Sequence, residues 1–147
     1  MMIGDIAVVR GGGDIATGVV QKLHRTGFRV LVLEIEKPTS IRRTVCFSEA
    51  IYNGKITIEN MESVFAKDER AVKNAWAQDL IPVVIDPKGY FINIFKPLIV
   101  VDASIEKRNT GMTRNLAPIT VAVGPGFIAG KDADVVIESN RGHNLGK

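Results

Sequence analysis

The chain has 147 residues, 46% of them apolar and 24% charged, and a net charge of +3. That is the size of one domain with room for a real core, in the composition range of a globular protein rather than a disordered one. Lys and Arg are scattered, without a basic stripe interleaved with aromatics, which speaks against nucleic acid and for small anionic ligands. A single cysteine, Cys46, excludes an internal disulfide, and no His partner pattern makes it part of a zinc motif, so no metal site is expected. The opening residues MMIGDIAVVRGGG have neither the basic n-region nor the apolar h-region of a leader, and no apolar run approaches the ~20 residues of a membrane span. These features predict a cytoplasmic protein with no membrane partner.

In chain order, the first apolar run covers residues 6–10 and ends in Arg10 and three glycines. A helical pattern follows, with Ile15, Val19 and Leu23 at i, i+4 and i+8 and Gly27 as the stop. The second run covers 30–35. A second helix is predicted over about 45–52, ending at Asn53-Gly54, and a third near 68–78 that carries Ala71, Ala75 and Trp76 toward the core. Residues 81–86 are a third run. DPKG at 86–89 then reads as a turn, in which Pro and Gly supply the required dihedrals. Residues 90–97 are ambiguous between a strand and a helical turn. Further runs cover 98–102, 119–124 and 134–138. Their Val and Ile content suits strands covered on both faces, and their alternation with helices predicts βα units around a parallel sheet. The expected architecture is α/β and Rossmann-like, a mostly parallel sheet of about six strands with helices on both faces, in one domain over 1–147. A doubly wound sheet normally covers its last strand with another helix. The chain stops instead at ESNRGHNLGK, as the first part of a longer architecture would.

Gly11-Gly12-Gly13-Asp14-Ile15-Ala16 fits G-x-G-x-x-G/A between a strand and a helix. In that motif the first Gly makes the tight turn, the second admits a pyrophosphate, and the small last position lets the helix close on the strand. The helix-start amides and dipole would form an anion site. Glu34 stands about 20 residues on, where an acid binds a ribose 2′-OH, with Glu36 as the alternative. Asp14 is the awkward residue. A carboxylate there suits the dipole but would repel a pyrophosphate on the same amides. It is open to a role as N-cap, as acceptor for a ribose or pterin N–H, or as holder of a bridging metal, with Arg10 offsetting its charge.

Arg42 and Arg43 are placed to clamp a 2′-phosphate or another anion, or are solvated charges before a helix. Cys46 lies near that helix start beside two arginines, a setting that lowers a thiol pKa, although a lone cysteine is more often a buried filler. The run at 98–102 delivers Asp102, Lys107, Arg108, Asn109 and Thr110 to the carboxyl edge of the sheet. The run at 119–124 delivers Gly124, Pro125 and Gly126, and the last run Glu138, Asn140, Arg141 and His143. Ligands of open α/β sheets bind at that edge. Ser139 is in no nucleophile elbow, and neither His24 nor His143 has the partners of a metal site, so no catalytic residue is assigned.

Five segments carry a resemblance: VVRGGGDIATGVVQKLHRTGF, RRTVCFSEAIYNG, IPVVIDPKG, VVDASIEKRNTG and VAVGPGFIAGKDADVVIESNRGHNLG. Together they resemble the YqeB-type accessory proteins of the selenium-dependent molybdenum hydroxylase system. More distantly they resemble the Rossmann part of XdhC-type maturation factors for xanthine dehydrogenase. The likeness runs over essentially the whole chain. It implies a Rossmann-like fold and a role in maturing a molybdenum hydroxylase, through its molybdenum cofactor or that cofactor's terminal sulfur or selenium ligand. The implied partners are the hydroxylase or its cofactor-assembly machinery. The resemblance supplies no catalytic residue; the loop at 11–13 and the turn at 124–126 carry over as candidate ligand-binding segments. Proteins of that kind continue past the position of Lys147.

The expected ligand is therefore NAD(P) or a molybdopterin-type cofactor. The candidate binding residues are Gly11, Gly12, Gly13, Asp14, Glu34, Arg42, Arg43, Asp102, Arg108, Gly124, Gly126 and Arg141. An NAD(P)-dependent oxidoreductase domain and a non-catalytic interaction module are the alternatives, and a homodimer is open as the assembly.

Overall fold

A computed structural model describes residues 4–38, 45–105, 111–124 and 127–138. Eight strands form one sheet: β1 (Ile6–Arg10), β2 (Arg29–Glu34), β3 (Lys55–Ile58), β4 (Met61–Phe65), β5 (Ile81–Ile85), β6 (Ile99–Asp102), β7 (Ile119–Val123) and β8 (Val135–Ile137). They stand in the order β3-β4-β5-β2-β1-β6-β7-β8, and every pairing is parallel except β3 with β4. The inner order β5-β2-β1-β6-β7-β8 winds outward in both directions from β1, which is the doubly wound arrangement. The six expected strands are all present, and the fold is Rossmann-like α/β. The strand count is the correction: β3 and β4 add an antiparallel hairpin outside β5. Its turn at Glu59 and Asn60, both at positive φ, carries no glycine, and Asn tolerates that region through its short side chain.

Helix α1 (Asp14–Arg25) follows β1 and ends where Gly27 takes φ +100°. Its buried stripe is Ala16, Thr17 and Val20, with Val19 and Leu23 partly covered, while Ile15 is 42% exposed. The expected core position of Ile15 is thus overturned: the helix rolls so that small Ala16 and Thr17 meet the sheet, permitting close approach. A 3₁₀ turn (Phe47–Glu49) leads into α2 (Ala50–Asn53), which stops at Gly54 with φ +83°. Helix α3 (Glu69–Ala77) is capped by Asp68, whose Oδ1 accepts the Ala71 N–H at 2.9 Å. Its buried residues are Val72 and Ala75, with Ala71 and Trp76 partly covered. Residues left ambiguous by sequence form α4 (Tyr90–Phe95), whose first turn donates Tyr90 and Phe91 N–H to the Asp86 carboxylate at 3.0 and 2.9 Å.

Two cores flank the sheet. On one face Val9, Val32, Val83 and Val101 pack with Ala16, Val20 and Phe47; on the other Val8, Leu31, Leu33 and Val100 pack with Val72, Ile92 and Met112. Alternate residues of each strand feed opposite cores, as the two-residue repeat demands. Each fully buried Val or Leu contributes about 1.5–3 kcal/mol relative to exposure. Beyond α1 and α2, Ile119, Val135 and Ile137 remain half-exposed on the first face, and no helix among the described residues covers them.

Candidate functional site

The glycine loop sits where the strand order reverses, between β1 and β6. Gly11 donates to the Leu33 carbonyl at 2.7 Å and turns with φ +98°. A Cβ there would lie 2.8 Å from the Ser104 Cα, so only glycine fits both the dihedral and the space.

Gly12, the variable position between the two glycines of the motif, is shaped by a neighbour from the chain itself. A Cβ on it would come within 2.9 Å of the Ser48 amide nitrogen, which donates to the Gly12 carbonyl at 2.9 Å. Buried Thr17 completes this junction: its Oγ1 accepts the Phe47 N–H at 3.0 Å and donates to the Gly12 carbonyl at 3.4 Å. The close approach at Gly12 is thus made by the protein's own 46–49 segment. Among the described residues nothing lies within 4 Å of a Cβ built on Gly13, the residue preceding α1. The open side of the loop is at Gly13.

Glu34 ends β2 beside this loop. Its Oε2 accepts the Gly12 N–H and its Oε1 the Ile35 N–H, both at 2.8 Å. Glu36 lies past the end of β2 and is exposed. Asp14 is exposed, and its Oδ1 accepts the adjacent Ile15 N–H at 2.9 Å. It covers one first-turn amide of α1.

On the opposite face of the sheet, Arg10 and Asp102 are partners in the β1–β6 register. Arg10 Nη1 is 3.9 Å from Asp102 Oδ2, and Nη2 donates to the Pro87 carbonyl at 3.1 Å. Arg10 engages Asp102, not Asp14 as the sequence suggested. Asp102 is fully buried. Its Oδ1 accepts Ser104 N–H at 3.1 Å and Ser104 Oγ–H at 2.7 Å, while Oδ2 has no hydrogen-bond partner among the described residues. A buried carboxylate oxygen with only a long ion pair is a costly feature.

Gly124 closes β7 with φ +108°, and a Cβ on it would lie 3.7 Å from the Ile105 Cα. Ile105 itself takes φ +58°, a region that a β-branched residue rarely enters and that costs of order 1–3 kcal/mol. Ends of β2, β1, β6 and β7 thus bring Glu34, Gly11 to Gly13, Asp102 and Gly124 to one sheet edge, with Asp102 on the far face from Glu34. Arg42, Arg43, Arg108, Gly126 and Arg141 lie outside the described residues, as do Lys107, Asn109, Thr110, Pro125, Asn140 and His143. Cys46 is fully buried against the loop-docking segment, which removes the access that thiolate chemistry requires.

Thr17, Ser48 and Ser104 complete the site and were not singled out by sequence. A hydroxyl on the apolar stripe of α1 was the available signal for Thr17; Ser48 and Ser104 act through tertiary approach. Among the described residues no cluster of three or more His, Cys, Asp or Glu is arranged to hold a metal. Nor is any helix among them long and apolar enough to cross a membrane. A concavity of about 890 Å³ is lined by the starts of β1 and β2 and the approaches to β6 and β7. It lies at the end of the sheet away from the glycine loop.

A doubly wound parallel sheet with a glycine loop at its reversal point defines a Rossmann-like α/β protein. Its sequence is similar to the Escherichia coli (strain K12) protein named "Uncharacterized protein YqeB": 46% identity over 142 residues, covering 97% of this chain and 26% of that protein. The chain spans about a quarter of that curated relative's length, and the YqeB-type resemblance read from the sequence is supported. No protein-family model matches the chain, and no solved structure matches it.

Proposed function

We propose that the chain is the ligand-binding part of an accessory protein that matures a molybdenum hydroxylase, and that it holds a nucleotide-like or molybdopterin-type cofactor at the carboxyl edge of its sheet. The observation that carries the binding half of this reading is Gly13: among the described residues nothing lies within 4 Å of its Cβ position, it heads a 12-residue helix, and its neighbour Gly12 is bonded by the Glu34 carboxylate. A phosphate approaching there meets helix-start amides and dipole, while the Glu34 carboxylate, engaged by the Gly12 and Ile35 N–H groups, holds the loop beside it. The maturation half rests on the resemblance to YqeB-type sequences.

The Gly12 amide is engaged by Glu34, and Asp14 covers the Ile15 amide. This loop therefore offers a phosphate fewer amides than a standard dinucleotide loop, which favours a ligand other than NAD in its usual pose. An NAD(P)-dependent oxidoreductase is the second reading, favoured by the position of Glu34 at the end of β2.

The test is a thermal-shift panel of NAD(P), a pterin dinucleotide and related ligands on the wild-type chain and on Gly13→Leu. Gly13 has φ −72° and, among the described residues, nothing within 4 Å of its Cβ position, so Gly13→Leu is expected to fold, which its ligand-free melting curve verifies. The binding ligand stabilises wild type by about 2.7 kcal/mol at a hundredfold excess over Kd, and Gly13→Leu loses that gain. Failure of the whole panel to stabilise wild type would sink the reading. Comparing Asp14→Ala affinities for NAD and pterin ligands separates the two cofactors: equal effects remove the preference.

A further inference from the structure

The groove at the amino end of the sheet serves none of the residues discussed so far. Its volume is about 890 Å³, it is open to solvent, and its lining includes Ile92, Leu98 and Leu116. Arg29, Lys96 and Arg114 line it, against one carboxylate among the described residues, Asp5. A second concavity of about 520 Å³ shares Arg114, Asn115 and Pro118 with it and adds Lys131 and Asp134. Four cations among the described residues, Arg29, Lys96, Arg114 and Lys131, therefore line two adjoining concavities against two carboxylates, Asp5 and Asp134. Asp134 is already engaged by the Thr120 N–H and hydroxyl and by Arg114 Nε.

Two of the cations are held in place rather than solvated at random. Arg29 Nε donates to the Gly4 carbonyl, and its guanidinium lies 5.3 Å from the centre of the Trp76 ring. Arg114 donates from Nε to Asp134 and from Nη1 to the Gly130 carbonyl, each at 2.9 Å, yet its side chain stays 51% exposed. Guanidinium groups already anchored lose little freedom when they meet a carboxylate.

We propose that these adjoining concavities are a docking surface for an extended acidic peptide segment of a partner protein, one that alternates carboxylate and aliphatic side chains. Charge complementarity selects the acidic character, and the lining by Ile92, Leu98 and Leu116 selects the aliphatic residues. The concavity is open rather than enclosed, unlike the pockets that bury a small molecule. Single-stranded nucleic acid would need stacking platforms, and no aromatic side chain among the described residues lines either concavity.

The test uses the whole chain on an array of 12-residue peptides graded from Glu/Leu through Ser/Leu to Lys/Leu, with the strongest binder remeasured in solution with a fluorescein label. Lys96 and Lys131 are exposed and away from both cores, so Lys96→Glu/Lys131→Glu leaves the fold intact, verified by an unchanged melting curve. The proposal expects the Glu/Leu peptides to bind best, about tenfold weaker binding to the double variant, and a loss of affinity as salt rises. It is overturned if binding ignores peptide charge, or if the double variant binds equally well. It is likewise overturned if a uridine 12-mer binds more tightly than any peptide, or if millimolar citrate or phosphate displaces the peptide. Those outcomes reassign the surface to nucleic acid or to a small anion. Failure here leaves the Gly13 ligand test untouched, because the two surfaces share no residue.

Discussion

Single residues decide whether the loop after β1 can exist. Gly11 combines φ +98° with a Cβ position 2.8 Å from Ser104 Cα; Gly13 has neither constraint. Gly11→Ala is expected to destabilise the chain by about 2–4 kcal/mol, and Gly13→Ala by no more than about 1 kcal/mol, read from urea unfolding midpoints. Equal losses would mean the loop is not packed as described. Asp134 gives a second test at this scale. The Thr120 N–H is the main cause, with the Thr120 hydroxyl and Arg114, that holds its carboxyl below the usual value of 3.8. A depressed folded pKa contributes stability that is complete above about pH 4 and lost as pH falls through the folded value. Thr120→Val should therefore flatten the fall in melting temperature below pH 4. Val keeps the main-chain bond, so an acid limb identical to wild type would show that the Thr120 hydroxyl contributes nothing to the depression.

At the scale of elements, local chemistry set most boundaries. Asp68 caps α3 through the Ala71 N–H, and Asp68→Ala should cost about 1 kcal/mol, measurable as a lower melting temperature. An unchanged temperature would mean the cap is not formed in solution. The glycines at 27 and 54 end α1 and α2 as their sequence positions indicate. Where local signals compete, the sequence is less legible. Residues 55–65 carry an alternation (Ile56, Ile58, Met61, Ser63) that fits a hairpin, but their turn lacks the glycine that usually marks one. Residues 90–95 are apolar in a run with no period, and the Asp86 carboxylate, four and five residues back, is what sets them helical.

For the whole molecule, the sheet couples two cores that share few side chains. Phe47 is buried on the face of α1 and Leu31 on the face of α3 and α4. Phe47→Ala should cost about 3–5 kcal/mol and Leu31→Ala about 2–5 kcal/mol. Because they belong to separate clusters, their effects should add to within about 0.5 kcal/mol, with one cooperative transition in each variant. Two resolved transitions in either single variant would show that the faces unfold independently. The same division places Glu34 and the glycine loop toward one face and the buried Arg10–Asp102 pair toward the other.

Composition, β-branched runs and the glycine–helix junction determined by themselves that this is a mostly parallel α/β chain with a glycine turn between its first strand and first helix. They did so because those signals are local: strand runs, caps and stops act within a few residues. The site's character was decided only by tertiary structure. The Ser48 backbone against Gly12, the Thr17 hydroxyl bridging to Phe47, and Arg10 facing Asp102 across β1 and β6 join residues 36, 30 and 92 positions apart. Separations of that size carry no periodic signature in one sequence. Contacts of this kind leave Gly13 as the open side of the loop and bury Cys46, because the folded sheet brings these segments within bonding distance.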